Sequence, residues 1–386
     1  MKKKKPTLPS KAKDIAPIAV SSQRKGAHKD SSKWKSVLGS YVGSTSDFSD
    51  TILYIATNAS QIEMACIMSE RSRFNSIVYS EGFDFFDYSL KHKKTSFVNS
   101  LKNVAAILKR ITKVVTYIGQ VNPNIRKEYR ILLTCAIKLG TPVVELPHGL
   151  LQSGYNLDDN SKIIDLSSYY DGIGQSLPSI ASLRLRWYGN FSVGYPRHLG
   201  IKLPERVLPS YTAITTNTNW FLYSVEDKRN FFNLVWRHAE QNPNKLFIWA
   251  PHPAETNQHT YSHSVSSLRP SNVLTYGLKQ DIYFDDIENT NDLIAYSDDG
   301  ISTVSTCLLE YEIYKKKVNI FSTEGVSHLI QNFSSAKTFT NIRELSMPGE
   351  VLTTGMLEKY KPEIFDEYLA SAPNSDPRNA AYLELT

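Results

Sequence analysis

The sequence has few cysteines and no long apolar run, and each absence argues against a class of protein. Its 386 residues include only three cysteines, Cys66, Cys135 and Cys307, which stand far apart and form no Cys-x-x-Cys pair. This spacing argues against a disulfide framework and against a structural zinc site, and it favours a reducing, cytoplasmic compartment. The most apolar long segment, residues 103–119, is interrupted by three basic residues, so no membrane span is predicted.

Motifs of several common enzyme classes are also missing. The sequence contains neither a Gly-x-Gly-x-x-Gly segment nor a Walker A segment, which argues against nicotinamide-dependent enzymes and P-loop kinases. It has no Gly-x-Ser-x-Gly segment, the signature of the α/β-hydrolase nucleophile. His259 and His263 have a spacing compatible with a metal, but no acidic or cysteine ligand accompanies them. We therefore expect no metal ion and no cofactor.

The positive charge is concentrated at the start of the chain. The whole sequence has a net charge of +6, but residues 1–40 alone contain eleven Lys or Arg and two Asp. The remainder has 33 basic and 36 acidic residues and is slightly acidic. The net charge of the whole chain is therefore weak evidence for a nucleic-acid partner. Residues 1–50 are poor in apolar side chains and are interpreted as a flexible basic tail. The tail either stays solvated or tethers the protein to an anionic membrane surface.

From residue 51 onward, short apolar runs alternate with amphipathic stretches, the pattern of βαβ units around a parallel sheet. The sequence predicts an α/β protein with two Rossmann-like αβα domains, residues 51–205 and 206–354, facing across a cleft. Residues 355–386 are predicted to form a C-terminal helical extension. The predicted strands are 51–57, 76–79, 113–119, 142–146, 211–216, 245–249, 292–296 and 318–321. The predicted helices are 60–71, 97–111, 125–139, 225–241 and 302–314.

The first candidate site residue follows a predicted strand. Residues 143–150 read Val-Val-Glu-Leu-Pro-His-Gly-Leu, which places His148 directly after an apolar run. In open α/β sheets ligands bind beyond the carboxyl ends of the strands, so His148 would face the cleft. An imidazole at that place can act as a general base. Alternatively, it only closes the turn through backbone hydrogen bonds.

A second histidine follows a strand in the other half of the chain. Residues 247–253 read Phe-Ile-Trp-Ala-Pro-His-Pro, in which His252 stands between Pro251 and Pro253. Proline fixes its own φ angle and lacks an N–H donor, so the turn is stiff and would hold the imidazole in one orientation. A phosphate ligand would need such a fixed donor. A rigid surface turn is the alternative.

A hydroxyl-rich segment forms the third candidate. Residues 298–306 read Asp-Asp-Gly-Ile-Ser-Thr-Val-Ser-Thr and run into a predicted helix. Its hydroxyl residues are Ser302, Thr303, Ser305 and Thr306. Together with free N–H groups at a helix start, such hydroxyls can bind phosphate oxygens, although a capped helix without a ligand has similar residues. Glu310, one turn later, would reach ribose hydroxyls or solvent.

In their order along the chain, these motifs resemble those of GT-B glycosyltransferases of bacterial surface-polysaccharide synthesis, over roughly residues 51–321. The His-Gly turn at His148 is similar to that of CDP-glycerol glycerophosphotransferases and capsule Kdo transferases. Residues 194–197, Gly-Tyr-Pro-Arg, resemble the Gly-x-Pro-Arg segment that closes the N-terminal domain in such proteins. The segment at His252 resembles their His-Pro motif. Residues 302–306 resemble the Ser/Thr motif that bacterial polysialyltransferases and lipooligosaccharide sialyltransferases use for the nucleotide phosphates.

The resemblance implies a metal-independent glycosyltransferase at the cytoplasmic side of the membrane. It would move a sugar from a CMP-, CDP- or UDP-linked donor to a hydroxyl of a growing capsule or lipopolysaccharide glycan. The second domain would bind this nucleotide sugar through His252, Pro253, the hydroxyl segment and Glu310, and the first domain would bind the acceptor. His148 would be the base that deprotonates the acceptor. Asp171 is the second candidate for that base, because the pair Asp171-Gly172 partly matches the acidic Asp/Glu-Asp/Glu-Gly motif of polysialyltransferases.

Two other functions stay open on the sequence alone. The same two-domain fold serves UDP-N-acetylglucosamine 2-epimerases, so an isomerase acting on a nucleotide sugar is one alternative. The other is a non-catalytic module that binds a nucleotide sugar or holds together a polysaccharide assembly complex. Incubation with a donor but no acceptor distinguishes the first alternative, because only an epimerase would convert the donor to another nucleotide sugar.

Overall fold

In a computed structural model of the protein, the chain folds around two parallel β-sheets. The structure describes residues 50–117, 126–146, 155–157, 163–165, 194–197, 205, 208–216, 223–252, 255, 268–276, 287, 289–331, 333–355, 357 and 359–371. The predicted basic tail, apart from residue 50, lies outside them. All three cysteines are described and carry free thiols. None of the described helices is long and apolar enough to cross a membrane.

The first domain contains a five-stranded sheet in the order β3-β2-β1-β4-β5, in which all neighbours are parallel. Its strands are β1 (Thr51–Ile55), β2 (Asn75–Tyr79), β3 (Thr95–Val98), β4 (Lys113–Thr116) and β5 (Val143–Glu145). Its helices are α1 (Ala59–Arg71), α2 (Phe86–Lys91), α3 (Leu101–Ile107) and α4 (Lys127–Lys138), with a 3-10 turn at Leu108–Arg110. An antiparallel pair follows, β6 (Tyr155–Leu157) with β7 (Ile163–Asp165).

Burial on both faces explains why β1 is a continuous apolar run. All five of its residues are buried, and successive side chains point to opposite faces of the sheet. Ile52 and Tyr54 pack in the cluster that contains the apolar residues of α1. Leu53 and Ile55 pack in the cluster that contains those of α3 and α4. The sheet of the first domain is therefore covered by helices on both sides, as parallel sheets require.

The second domain contains a parallel sheet in the order β10-β9-β8-β11-β12-β13, with β14 antiparallel to β12. Its strands are β8 (Tyr211–Thr215), β9 (Leu246–Ala250), β10 (Val273–Thr275), β11 (Asp299–Ser302), β12 (Lys317–Phe321), β13 (Lys337–Phe339) and β14 (Glu350–Val351). Its helices are α5 (Val225–Gln241), α6 (Thr290–Tyr296), α7 (Cys307–Ile313), α8 (Glu324–Ile330) and α9 (Ile342–Leu345). Helix α10 (Pro362–Ser371) follows them.

The strand order reverses once in each sheet. In the first domain the reversal lies between β1 and β4, and in the second it lies between β8 and β11. Chain segments leave neighbouring strands in opposite directions at such a point, which opens a crevice beyond the carboxyl ends of the strands. The prediction of two Rossmann-like αβα domains, each built around a parallel sheet, is confirmed. The crevice between β8 and β11 is where a ligand of the second domain is expected.

The prediction of a strand at residues 292–296 is wrong. This segment is helix α6, whose first turn is capped by the Asn289 side chain, which accepts the Asp292 N–H at 2.9 Å. The short apolar run at 293–295 is compatible with a buried strand or with a buried helical turn, so periodicity could not separate them. The strand comes next, at β11.

Two predicted helices start later than expected. The helix predicted at residues 302–314 begins only at Cys307, because Ser302 belongs to β11 and residues 303–306 connect the two elements. The helix predicted at 97–111 contains the end of β3 and becomes helical only from Leu101. Strand β3 is only four residues long and alternates buried with more exposed residues, which gave the sequence analysis no continuous apolar run to detect.

The C-terminal extension returns to the first domain. The carboxylate of Asp366 on α10 accepts the Ser72 hydroxyl at 2.7 Å and the Arg73 N–H at 2.8 Å, just after α1. Tyr195 forms a parallel bridge with Lys359, so the two segments through which the chain passes between the domains lie side by side. Phe365 and other apolar residues of α10 are buried in the same cluster as those of α1. The extension thus packs against the first domain.

Replacing Asp366 by Ala should lower the free energy of unfolding by about 1–3 kcal/mol, because a buried hydroxyl and a backbone N–H lose their acceptor. Urea unfolding followed by circular dichroism measures this change. Glu367→Ala is the matched control, since Glu367 is an exposed residue of the same helix and its replacement should change the stability by less than about 0.5 kcal/mol. Equal effects of the two substitutions would contradict the assigned role of Asp366.

Candidate functional site

The structure describes part of the site predicted from the sequence. His148, Asp171 and Pro253 lie outside the described residues, so the assignment of a base stays a prediction. The described members are His252, Ser302, Thr303, Ser305, Thr306 and Glu310. All of them follow the carboxyl ends of β9 or β11, or lie at the ends of these strands, in the second domain. The edge of the sheet therefore brings together motifs that are about 50 residues apart in the sequence.

Ser302 contributes its hydroxyl to the sheet rather than to the crevice. It is fully buried, and it pairs in register with Thr215 of β8. The Thr215 hydroxyl donates to Ser302 Oγ at 2.8 Å, and Ser302 in turn donates to the Thr303 carbonyl at 2.7 Å. Both roles of the Ser302 hydroxyl are thus used within the protein. This contact ties β8 to β11 at the point where the strand order reverses.

Thr303 differs from its neighbour because its hydroxyl has no hydrogen-bond partner among the described residues. Its N–H donates to the Thr215 carbonyl at 3.2 Å, which continues the sheet by one residue beyond β11. Only 5% of Thr303 is exposed, and Oγ1 is buried without a hydrogen bond to any residue that the structure describes. Leaving a buried hydroxyl unpaired costs about 1–3 kcal/mol. Thr303 is therefore a candidate to bind a ligand oxygen.

Ser305 and Thr306 lie where the chain enters α7. Ser305 Oγ accepts the Cys307 N–H at 3.2 Å, so this hydroxyl caps the start of the helix. Thr306 is the residue before α7, and its side chain makes no capping hydrogen bond. Val304 lies between Thr303 and Ser305, and its N–H donates to the Tyr223 hydroxyl at 2.9 Å. The capping alternative considered for this segment accounts for Ser305.

The turn that carries His252 is held by a buried carboxylate, Glu255. Its Oε2 accepts the His252 N–H at 2.9 Å and a short hydrogen bond from the Thr216 hydroxyl. Thr216 also accepts the Trp249 indole N–H at 3.1 Å, and the Glu255 N–H donates to the His252 carbonyl at 2.7 Å. Glu255 thereby fixes the turn after β9 to the end of β8. The sequence analysis missed Glu255; an acidic residue three positions after the histidine was the available signal.

The imidazole of His252 is solvent-exposed at the end of this turn, yet its pKa is lowered. Partial desolvation by the surrounding protein lowers the pKa, and the negative charge of Glu255 opposes the shift. The neutral imidazole is therefore favoured at pH 7. In that form one ring nitrogen carries a hydrogen that can be donated to a ligand oxygen.

A small pocket lies beside Thr303 at the end of β8. Its polar lining includes Thr216, Glu255, Thr303 and Lys228, and Phe231 is among its aromatic residues. A capping box fixes the start of α5, since the Ser224 hydroxyl accepts the Asp227 N–H at 3.1 Å and the Asp227 carboxylate accepts the Ser224 N–H at 2.9 Å. This cap places Lys228 in the first turn of α5, facing the pocket.

Lys228 is a further residue that the sequence analysis did not identify. It is half-buried, and this burial lowers its pKa, whereas the charge of Glu255 acts in the opposite direction. A cationic side chain therefore lies next to the buried carboxylate and the unpaired Thr303 hydroxyl. The sequence contains no local pattern that distinguishes Lys228 from its neighbour Arg229, because its role depends on the orientation of α5.

Glu310 is buried, and the expectation that it might reach only solvent is wrong. Its Oε1 accepts the Arg197 Nη1–H at 3.0 Å and the Tyr195 hydroxyl at 3.1 Å. Its Oε2 is buried and has no hydrogen-bond partner in the described part of the chain. Burial raises the pKa of Glu310, and the charge of Arg197 lowers it. A buried acceptor with one unused oxygen remains available to a hydroxyl donor.

No three His, Cys, Asp or Glu side chains of the described residues are grouped as metal ligands. The cations near the candidate site are Lys228 and Arg197, and both lie close to carboxylates. His259 and His263 lie outside the described residues. The part of the site that the structure describes is thus a set of hydrogen-bond donors, hydroxyls and two basic side chains at the crevice of the second domain.

No protein-family model and no curated protein matches the sequence. Among solved structures, the chain is similar to a UDP-GlcNAc 2-epimerase of Methanocaldococcus jannaschii, with 12% identity, a TM-score of 0.49 and coverage of 86% of this chain and 98% of that chain. It is similar to the glycosyltransferase SnogD from Streptomyces nogalater, with 12% identity, a TM-score of 0.39 and coverage of 87% and 98%. It is also similar to the wall teichoic acid polymerase TagF, with 12% identity, a TM-score of 0.41 and coverage of 87% of this chain and 88% of that chain. These similarities concern the fold alone.

Replacing Glu255 by Gln should lower the pKa of His252 further, because the negative charge that favours the imidazolium is removed. The amide oxygen of Gln can still accept the His252 N–H, so the turn is retained. An NMR titration of the imidazole measures the pKa, with the resonance identified by its loss in His252→Ala. Glu226→Gln, an exposed residue of α5, is the control and should leave the titration unchanged. A pKa of His252 that stays constant or rises in Glu255→Gln would be inconsistent with this geometry.

Proposed function

We propose that the protein is a glycosyltransferase that moves a sugar from a nucleotide-activated donor to a hydroxyl of a growing capsule or lipopolysaccharide glycan. The observation that carries this proposal is the buried hydroxyl of Thr303, which has no partner in the described part of the chain and lies where the strand order of the second sheet reverses. Ligands of Rossmann-like domains bind at this place, and a phosphate oxygen would satisfy the hydroxyl. A CMP-, CDP- or UDP-linked sugar supplies such a phosphate.

The donor phosphates would be held by three kinds of group. Thr303 would donate a hydrogen bond from below the crevice, and the exposed imidazole of His252 would donate another from the turn after β9. Lys228 would supply positive charge, which is needed because the departing phosphate gains negative charge as the bond to the sugar breaks. Glu255 would act as a positioning residue, since it holds the backbone of the turn through the His252 N–H.

The ribose of the donor would be recognised by Glu310. Its Oε2 is a buried acceptor without a partner among the described residues, and a ribose hydroxyl can donate to it. Oε1 is already fixed by Arg197 and Tyr195, so the carboxylate has a defined orientation. Glu310 follows Thr303 by seven residues, of which the last four belong to α7. Phosphate and ribose would thus be bound by one continuous part of the chain.

The transfer itself requires a base on the acceptor side. The acceptor oxygen forms a bond to the anomeric carbon, the bond from that carbon to the phosphate oxygen breaks, and the proton of the acceptor hydroxyl passes to the base. We propose His148 for this base, with Asp171 as the second candidate. Both come from the first domain, whereas the groups proposed to bind the donor come from the second.

A thermal-shift screen with CMP, CDP, UDP and GDP tests the donor site directly. At least one nucleotide should stabilise the wild-type protein, and Thr303→Val should weaken its binding about tenfold or more, because a hydrogen bond to a charged phosphate is lost. The melting temperature without nucleotide should not fall, since the hydroxyl makes no hydrogen bond to a described residue.

Thr275→Val is the matched control for this substitution. Thr275 is also buried in the second domain, its hydroxyl also has no partner among the described residues, and it lies two strands away from β8. It should retain the nucleotide-induced shift. The donor site is refuted if no nucleotide stabilises the wild type, or if Thr303→Val binds the nucleotide as tightly as the wild type does.

Transfer activity is tested with a labelled nucleotide sugar, matched to the nucleotide that binds, in the presence and absence of an extracted glycan acceptor. The label should move to the glycan only when the acceptor is present, and His252→Ala should lower kcat about 100-fold, as expected for loss of a donor to developing charge. Conversion of the donor to another nucleotide sugar without acceptor would instead identify an epimerase. Binding without either reaction would identify a non-catalytic module.

A further inference from the structure

Arg197 connects the two domains at the place where the chain passes between them. Arg197 lies in the segment 194–197, directly beside the returning segment at Lys359. Its Nη1 donates to Glu310 Oε1 of α7 at 3.0 Å. Its Nη2 donates to Glu63 Oε2 at 2.5 Å and to the Ser60 hydroxyl at 2.9 Å, both on α1. One guanidinium therefore touches the first helix of one domain and the helix after β11 of the other.

The contacts of Arg197 lie close to the carboxyl ends of a central strand in each domain. Ser60 and Glu63 lie in the first turns of α1, directly after the carboxyl end of β1. Glu310 lies in α7, which follows the carboxyl end of β11. Both strands border the reversal of strand order in their sheets. Arg197 thus joins the two crevices themselves.

The burial of this ion-pair network makes it costly to break. The Arg197 side chain is 11% exposed, that of Glu310 is 4% exposed and that of Glu63 is 31% exposed. A buried charge needs hydrogen-bonded partners of opposite sign, and removing one partner leaves the other uncompensated. Arginine suits the place because its planar guanidinium can bind two carboxylates and a hydroxyl at once, whereas a lysine is a single point charge.

We propose that Arg197 is an interdomain clamp, which fixes the orientation of the two domains and holds Glu310 in place through the same guanidinium. Tyr195, two residues earlier, reinforces the second-domain side by donating to the same Glu310 oxygen. The contacts of the clamp are made between residues of the chain, so this role does not depend on which molecule the second domain binds.

The experiment measures the distance between the domains in the full-length protein without ligand. One nitroxide label is attached to Cys135, which is exposed on α4, and the other to Glu240→Cys, an exposed position on α5. Burial raises the pKa of the Cys66 thiol and raises that of Cys307 to about 12, so both remain largely unreactive at pH 7. Pulsed electron paramagnetic resonance then gives the distribution of label distances.

The substitutions separate the two sides of the clamp. Arg197→Met should shift or broaden the distance distribution, and Arg197→Lys should recover only part of the change. Glu63→Ala removes the carboxylate of the first domain but leaves the contact with Glu310, and it should also broaden the distribution. Because Arg197→Met leaves a buried carboxylate unpaired, the double variant Arg197→Met/Glu310→Gln provides a neutral form that tests the same contact.

Arg229→Met is the matched control, since Arg229 forms an exposed ion pair with Glu226 within α5. It should leave the distance distribution as in the wild type. Circular dichroism confirms that each variant is folded. The proposal is overturned if the folded double variant and Glu63→Ala both give the wild-type distribution, because the orientation of the domains would then not depend on Arg197.

Discussion

The candidate site depends on the parallel pairing of β8 with β11. These strands meet where the order of the second sheet reverses, and the hydroxyls of Thr215 and Ser302 join them at their carboxyl ends. This pairing sets the positions of Thr216 and Thr303, the residues that follow the two strands. Thr216 then anchors the turn of β9 through Glu255, so three strand ends are fixed relative to one another. The preorganisation of the crevice follows from backbone pairing.

Two buried carboxylates position different parts of the structure. Glu255 acts within the second domain, where its contact with the His252 N–H fixes the turn after β9. Glu310 acts between domains, because Arg197 binds it together with Glu63 of α1. In both cases burial makes the hydrogen bonds obligatory, since an unpaired carboxylate in the interior is strongly unfavourable. The same requirement that stabilises the fold therefore also fixes the geometry of the site.

Local patterns in the sequence were sufficient for the fold class and for most central strands. β1 and β9 are almost entirely apolar, and β8 is fully buried although it contains two threonines. The alternation of such strands with amphipathic stretches indicated βαβ units around a parallel sheet. The error at residues 292–296 arose because a buried helical turn and a short buried strand have the same composition. The short strand β3 was not predicted, because its four residues contain no continuous apolar run.

The site could be predicted only where its residues adjoin a strand end. Thr303 and His252 were identified as candidates in this way, but Lys228 was not, because its position beside Thr303 and Glu255 depends on how α5 packs across the sheet. Arg197 lies 113 positions before Glu310 and 134 positions after Glu63, and no local pattern relates these residues. Adjacent hydroxyls show the same limit: Ser302 is hydrogen-bonded to Thr215, whereas Thr303 has no partner among the residues that the structure describes. Only the tertiary contacts distinguish a hydroxyl that completes the sheet from one that can bind a ligand.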